Sequence, residues 1–149
     1  MGWGGTLICK HCNYRFPFSV GWGFMLPYLC EEILKDIKHG KYGDEFKNDA
    51  LSHPSAVVRQ SYEIYVCKKC GKLHSGKKIE LWNPIIEQEN DKHFYISKDK
   101  LEATHQLIHH LVYHCDYCGE EMVELTDYEE IKCPHCKSTL IVEEDILWD

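Results

Sequence analysis

Residues 115–136 read "CDYCGEEMVELTDYEEIKCPHC", two CxxC pairs with fourteen residues between them. A CxxC turn sets two sulfurs on one side of a tight loop, so that both reach one ion, and amides of the turn can hydrogen-bond them. Two such turns at the ends of adjacent hairpins complete a tetrahedron with metal–sulfur distances of about 2.3 Å. One pair is a weak signal; two at this spacing match the C-x2-C…C-x2-C arrangement of a four-cysteine site. Gly119, directly after Cys118, supplies the left-handed backbone such a turn needs.

The device recurs upstream. Cys67 and Cys70 lie in "YVCKKCG" (65–71), again followed by glycine. Cys9 and Cys12 lie in "TLICKHCNYRF" (6–16), where Asn13 stands in the glycine position. Eight of the nine cysteines thus fall in four pairs, and Cys30 is alone. No secretory signal is visible, and no stretch approaches the roughly 18 apolar residues that span a bilayer. Paired cysteines without an export signal read as metal ligands in a cytoplasmic protein rather than as disulfides, with no membrane partner.

Each pair has strand-like surroundings. In "SYEIYV" before Cys67, Tyr62, Ile64 and Val66 alternate with the period of a strand, and "KKIELW" can return as its partner. "HHLVYH", "EEMVEL" and "STLIVEE" read the same way around the third and fourth pairs. Between the first two pairs, "LPYLCEEILKDIKHG" (26–40) carries Leu29, Cys30, Ile33, Leu34 and Ile37 on one helical stripe, with Gly40 as its stop. "GDEFKNDALSHP" (43–54) predicts a shorter helix with Asp44 as cap. Ser97 is a candidate cap for a helix through Leu101 and Ile108, with a strand running into Cys115 as the alternative.

These knuckles and their flanking strands resemble the zinc-ribbon superfamily. "GKYGDEF" followed by "YVCKKCG" looks like small bacterial double zinc-ribbon proteins. The resemblance implies a small α+β fold: two β-rich ribbons, the first over 1–86 with a helical insertion at about 24–54, the second over 87–149. It further implies two Zn2+ ions, one held by Cys115, Cys118, Cys133 and Cys136, the other by Cys9, Cys12, Cys67 and Cys70. The first pair departs from the family pattern, with Asn13 and a long insert, so an interleaved combination, with Cys9/Cys12 joining Cys115/Cys118, stays open. Iron suits the same tetrahedral thiolates; the lack of a glycine after Cys136 favours zinc.

Other chemistries fit these residues less well. "CPHC" at 133–136 occurs in dithiol oxidoreductases, where the first cysteine begins a helix; here the β-branched "KSTLIVEED" follows. Cys30 reads as a buried, inert thiol. The i, i+4 pairs His105/His109 and His110/His114 lack the glutamate of an HExxH site, and His11 and His135 are expected to face solvent within their knuckles. No general-base or nucleophile constellation is legible, so the chain reads as non-enzymatic.

Charge locates the candidate partner surface. Residues 1–54 are neutral, 55–82 carry +4 and 83–149 carry −11, giving −7 in all. A protein this acidic is a poor general binder of phosphate backbones. The exception is Lys68, Lys69, Lys72, His74, Lys77 and Lys78, around and after the second knuckle. These residues either compensate a zinc–tetrathiolate dianion or form a nucleic-acid edge helped by Tyr62, Tyr65 and Trp82. The first account is favoured, and with it a protein-interaction adaptor or regulator whose partner is another protein.

Overall fold

The computed structural model describes residues 2–23, 26–86 and 98–148. Along the chain run β1 (Gly2–Ile8), β2 (Arg15–Gly21), α1 (Leu26–Lys38), α2 (Asp44–Ser52), β3 (Val57–Val66), β4 (Leu73–Pro84), α3 (Lys98–Thr104), β5 (His105–His110), β6 (Val123–Glu124) and β7 (Ile141–Trp148). The registered strand pairs are antiparallel. No helix among the described residues is long and apolar enough to cross a membrane.

The chain forms two compact units, and each is discontinuous. Met1–Gly23, Ser61–Lys77 and Val112–Asp149 make the first; Phe24–Gln60 and Lys78–Leu111 make the second. This division differs from the consecutive ribbons 1–86 and 87–149 expected above, whose boundary falls on residues outside the described set. Ser97, the candidate cap, also lies outside it. The long strands β3 and β4 each begin in one unit and end in the other, so neither unit is a single run of sequence.

Helices α1 and α2 of the second unit stand where the sequence places them. The stripe on α1 buries Cys30, Ile33 and Ile37 against Phe46 and Ala50 of α2 and Val58, Ile79 and Leu81 of the strands, with Leu34 packed alongside. The amide of Lys41 donates to the Asp36 carbonyl and that of Gly40 (φ +86°) to Ile37, both at 3.0 Å. That is the pattern by which a left-handed glycine satisfies the last carbonyls of a helix. Helix α2 differs from expectation at its start. Asp44 is its first residue and the cap position belongs to Gly43 (φ 101°), with no side-chain cap bond. The region after Ser97 is a helix that ends at Thr104, short of Ile108, followed by β5, which ends at His110, short of Cys115.

In the first unit β1 lies between β2 and β7, paired residue by residue from Gly2 to Ile8 on both sides. β3 meets β2 at Gly21↔Tyr62 and then β6 at Tyr65↔Glu124 and Val66↔Val123. Two apolar clusters fill this unit. One joins Leu7, Phe18, Ile64, Leu73, Ile131 and Leu140 with Cys9 and Cys133. The other joins Tyr65 and Met122 with Cys67 and Cys115. Cysteines are part of both cores, as expected where metal substitutes for apolar bulk.

Candidate metal centres

The four CxxC turns share one backbone design. The amide of the first cysteine donates to the carbonyl five residues on: Cys9 to Tyr14 (2.9 Å), Cys67 to Lys72 (2.9 Å), Cys115 to Glu120 (2.8 Å) and Cys133 to Ser138 (2.7 Å). Closing that loop forces the fourth residue after the first cysteine into the left-handed region. These residues are Asn13 (φ 61°), Gly71 (φ 77°), Gly119 (φ 77°) and Lys137 (φ 66°). In every turn the first cysteine is buried (Cys9, Cys67, Cys115, Cys133) and the second lies nearer solvent, Cys136 being exposed.

The eight sulfurs gather into two groups. Cys9, Cys12, Cys133 and Cys136 form one, and Cys67, Cys70, Cys115 and Cys118 the other, all sulfurs of a group lying within 4.8 Å of one another. Within the first, Cys9 Sγ is 3.4 Å from Cys136 Sγ and Cys12 Sγ is 3.5 Å from Cys133 Sγ. Within the second, Cys67–Cys118 is 3.3 Å and Cys70–Cys115 is 3.5 Å. These separations exceed the ~2.05 Å of a disulfide and approach the edge, about 3.8 Å, of a tetrahedron with 2.3 Å metal–sulfur bonds. Among the described residues no other group of histidine, cysteine or carboxylate side chains converges in this way.

All eight predicted ligands thus converge, but not in the pairing that the resemblance implies. The first pair joins the fourth and the second joins the third, so one group is nested inside the other. Nor does Cys9/Cys12 join Cys115/Cys118, the interleaved combination considered above. Strand adjacency is the cause. Ile8↔Ile141 pairing brings the end of β1 beside the hairpin closed by Lys132↔Thr139, which carries the fourth turn. Val66↔Val123 pairing brings the end of β3 beside the hairpin closed by His114↔Glu121, which carries the third. The two glycine turns (Gly71 and Gly119) fall in one group, and the turns with Asn13 and Lys137 in the other.

The turns also grade the thiols. Amides of Cys70 and Lys69 together with the Cys118 thiol hold the Cys67 thiol down to about 6, against burial. The Ser138 hydroxyl and amide, with the Cys9 thiol, lower Cys136 to about 6. For Cys12 the Tyr14 amide favours the thiolate, but burial and three neighbouring sulfurs outweigh it and push the thiol up to about 12. Cys118 follows suit, the Glu120 amide being outweighed by the Cys67 thiol and burial, and also stands at about 12. Four sulfurs this close cannot all carry charge without a cation between them. Each group could therefore hold a thiophilic metal ion.

The basic cluster finds its countercharges. Lys72 pairs with Asp116, Lys69 Nζ lies 3.9 Å from Glu120, and Lys78 Nζ lies 3.6 Å from Glu80. Lys68 and Lys69 share an open groove of about 480 Å³ with Glu120 and Glu121. The His74 ring lies 4.6 Å from that of Tyr113, tilted by 46°, and the Tyr113 hydroxyl donates to the Lys77 carbonyl at 2.8 Å. Asp116 and Glu120 lie about fifty residues downstream and reach these lysines only because the second and third turns share a site.

The histidine candidates and Cys30 lie outside the two groups. His11 and His135 are exposed, with His135 edge-on to Tyr14 at 4.9 Å. His105 and His109 lie on a strand, where i and i+4 are separated by about 13 Å and cannot share an ion. His109 instead bonds Asp49 at 2.8 Å. Cys30 is 2% exposed, and burial pushes its thiol up to about 11, against a bond from the Gln60 amide. No helix starts at Cys133, so the helix N-terminus that activates a CPHC thiol is missing there. No family model, curated protein or solved structure matches this chain, and what the two clusters hold is argued from their own geometry.

Proposed function

We propose that this chain is a non-enzymatic zinc protein of ribbon type, with two structural Zn2+ ions, acting as a protein-interaction adaptor or regulator in a compartment that keeps thiols reduced. The observation that carries the metal reading is the convergence of two knuckles on each four-sulfur group, with the first cysteine of every turn built into an apolar cluster. All-thiolate tetrahedral sites with no open position suit zinc held for stability, and iron is the other metal that fits. Each ion contributes folding free energy on the order of 10 kcal/mol. Helices α1 and α2 are read as an elaboration inserted between the first two knuckles. Pairing of Lys69 with Glu120 and Lys72 with Asp116 neutralises part of the basic cluster and weighs against a nucleic-acid edge.

Elemental analysis of the purified chain tests this reading. Two equivalents of zinc, with loss of cooperative structure on chelation, are expected; a metal-free chain that stays folded would sink it. Replacing Lys68, Lys69 and Lys72 with glutamate should leave low-salt nucleic-acid retention unchanged if the compensation account holds.

A further inference from the structure

We propose that β7 is a docking edge for an extended, basic segment of a partner protein. Strand β7 closes the strand order: it pairs β1 along its length, and among the described residues no strand lies on its other side. In an antiparallel strand alternate residues turn their N–H and C=O groups away from the paired neighbour. This edge therefore offers a row of backbone groups to which a further strand can add. Its apolar content fits that use. Ile146 is 57% and Leu147 73% exposed at one end, and Ile141 and Val142 are also exposed at the other. Consecutive strand residues point to opposite faces, so both ends of the strand show apolar surface on both faces.

Charge selects the occupant. Glu143, Glu144 and Asp145 stand between the two apolar ends, β1 carries no charged residue, and β2 carries only Arg15, which pairs with Glu143. The three strands together therefore keep a net charge of −2. A second copy adding antiparallel through this edge would set one acidic triplet against another, and like charges directly opposite are destabilising. The register shift between Thr6 and Leu7 leaves Glu143 with no partner in β1, a bulge that further disfavours long self-pairing. A segment with lysines or arginines at its centre and apolar residues at both ends complements the whole strand. This inference gives the adaptor reading a surface and rests on it only in requiring a protein partner; the metal content is not at stake.

The test titrates the intact, metal-loaded chain with three synthetic peptides of about ten residues, long enough to match this strand. One has Val-Ile at each end and Lys-Arg-Lys at the centre; the second has the same charge with a central proline; the third has glutamates for the basic residues. Fluorescence anisotropy reads binding, and amide hydrogen exchange reads its place. The basic peptide should bind and slow exchange across residues 141–148, the proline peptide should bind roughly tenfold more weakly or worse, and the acidic one not at all. Leu147→Lys, a change at an exposed position, should weaken the basic peptide by roughly tenfold with two metal ions retained. Equal binding of the proline peptide, unchanged exchange at 141–148, or no binding overturns the proposal. So does self-association that Leu147→Lys abolishes, since the occupant would then be a second copy.

Discussion

Cys9 Sγ lies 3.4 Å from Cys136 Sγ across a sequence separation of 127 residues. The contact follows from β1 pairing with β7, and it makes the metal sites depend on sheet order. A test of pairing follows directly. Cys9→Ser with Cys136→Ser should leave one ion bound, whereas Cys9→Ser with Cys67→Ser should leave none. Native mass spectrometry reads the count; one retained ion in the second variant would restore consecutive pairing.

The left-handed turn residues predict a graded series. A Cβ on Gly119 meets nothing within 4 Å, so Gly119→Ala carries only the backbone penalty of φ +77°, about 1–2 kcal/mol. Gly119→Asn should cost less, since asparagine tolerates this region, as Asn13 does in the first turn. Denaturant melts at fixed free metal would show the order Gly, Asn, Ala.

Gly76 is constrained by crowding instead. A Cβ there would stand 2.7 Å from His74 Nε2 and 2.8 Å from the Tyr113 hydroxyl. Gly76→Ala should destabilise by about 1–3 kcal/mol and disturb the near-ultraviolet signal of Tyr65 and Tyr113, whose rings are 4.7 Å apart. Tyr113→Phe should cost only about 1 kcal/mol, the loss of its bond to the Lys77 carbonyl.

Acid should empty the sites in a defined direction. Cys67 and Cys136 have folded thiol values near 6, below the ordinary 9.0. A depressed acid stabilises the fold above its unfolded value and loses that contribution as pH falls through the folded one. Proton competition for the sulfurs runs in the same direction, so acidification is expected to release metal. Ser138→Ala, which removes the hydroxyl on Cys136, should raise the release pH of the Cys9 group alone, read with a metallochromic dye.

Cys30 reports unfolding. Its thiol stands at about 11 and is buried, so it stays neutral and unreactive at pH values below the ordinary 9.0. Iodoacetamide should leave it unlabelled in the metal-loaded chain and modify it after chelation under denaturing conditions. Rapid labelling of the native chain at Cys30 would reopen a catalytic reading.

Legibility in the sequence followed the range of the interactions. The ligands were readable because each turn is a local object with its own hydrogen-bond pattern. Helix α1 was readable because its stripe and Gly40 lie within fifteen residues. The pairing of turns was not, because it depends on which strands adjoin, and β1–β7 contact spans nearly the whole chain. For the same reason the Lys72–Asp116 pair was not legible: Asp116 belongs to a turn that only the third dimension brings near.

Nesting also sets a timetable for synthesis. Cys67 and Cys70 can close their site once Cys118 has left the ribosome, 51 residues after Cys67. Cys12 must wait 121 residues for Cys133, a delay on the order of ten seconds at translation rates of roughly 5–20 residues per second. On the two-ion reading, the earliest thiols made are then the last to be metallated. The inner ion is the first that the nascent chain can capture, and the outer one completes the fold.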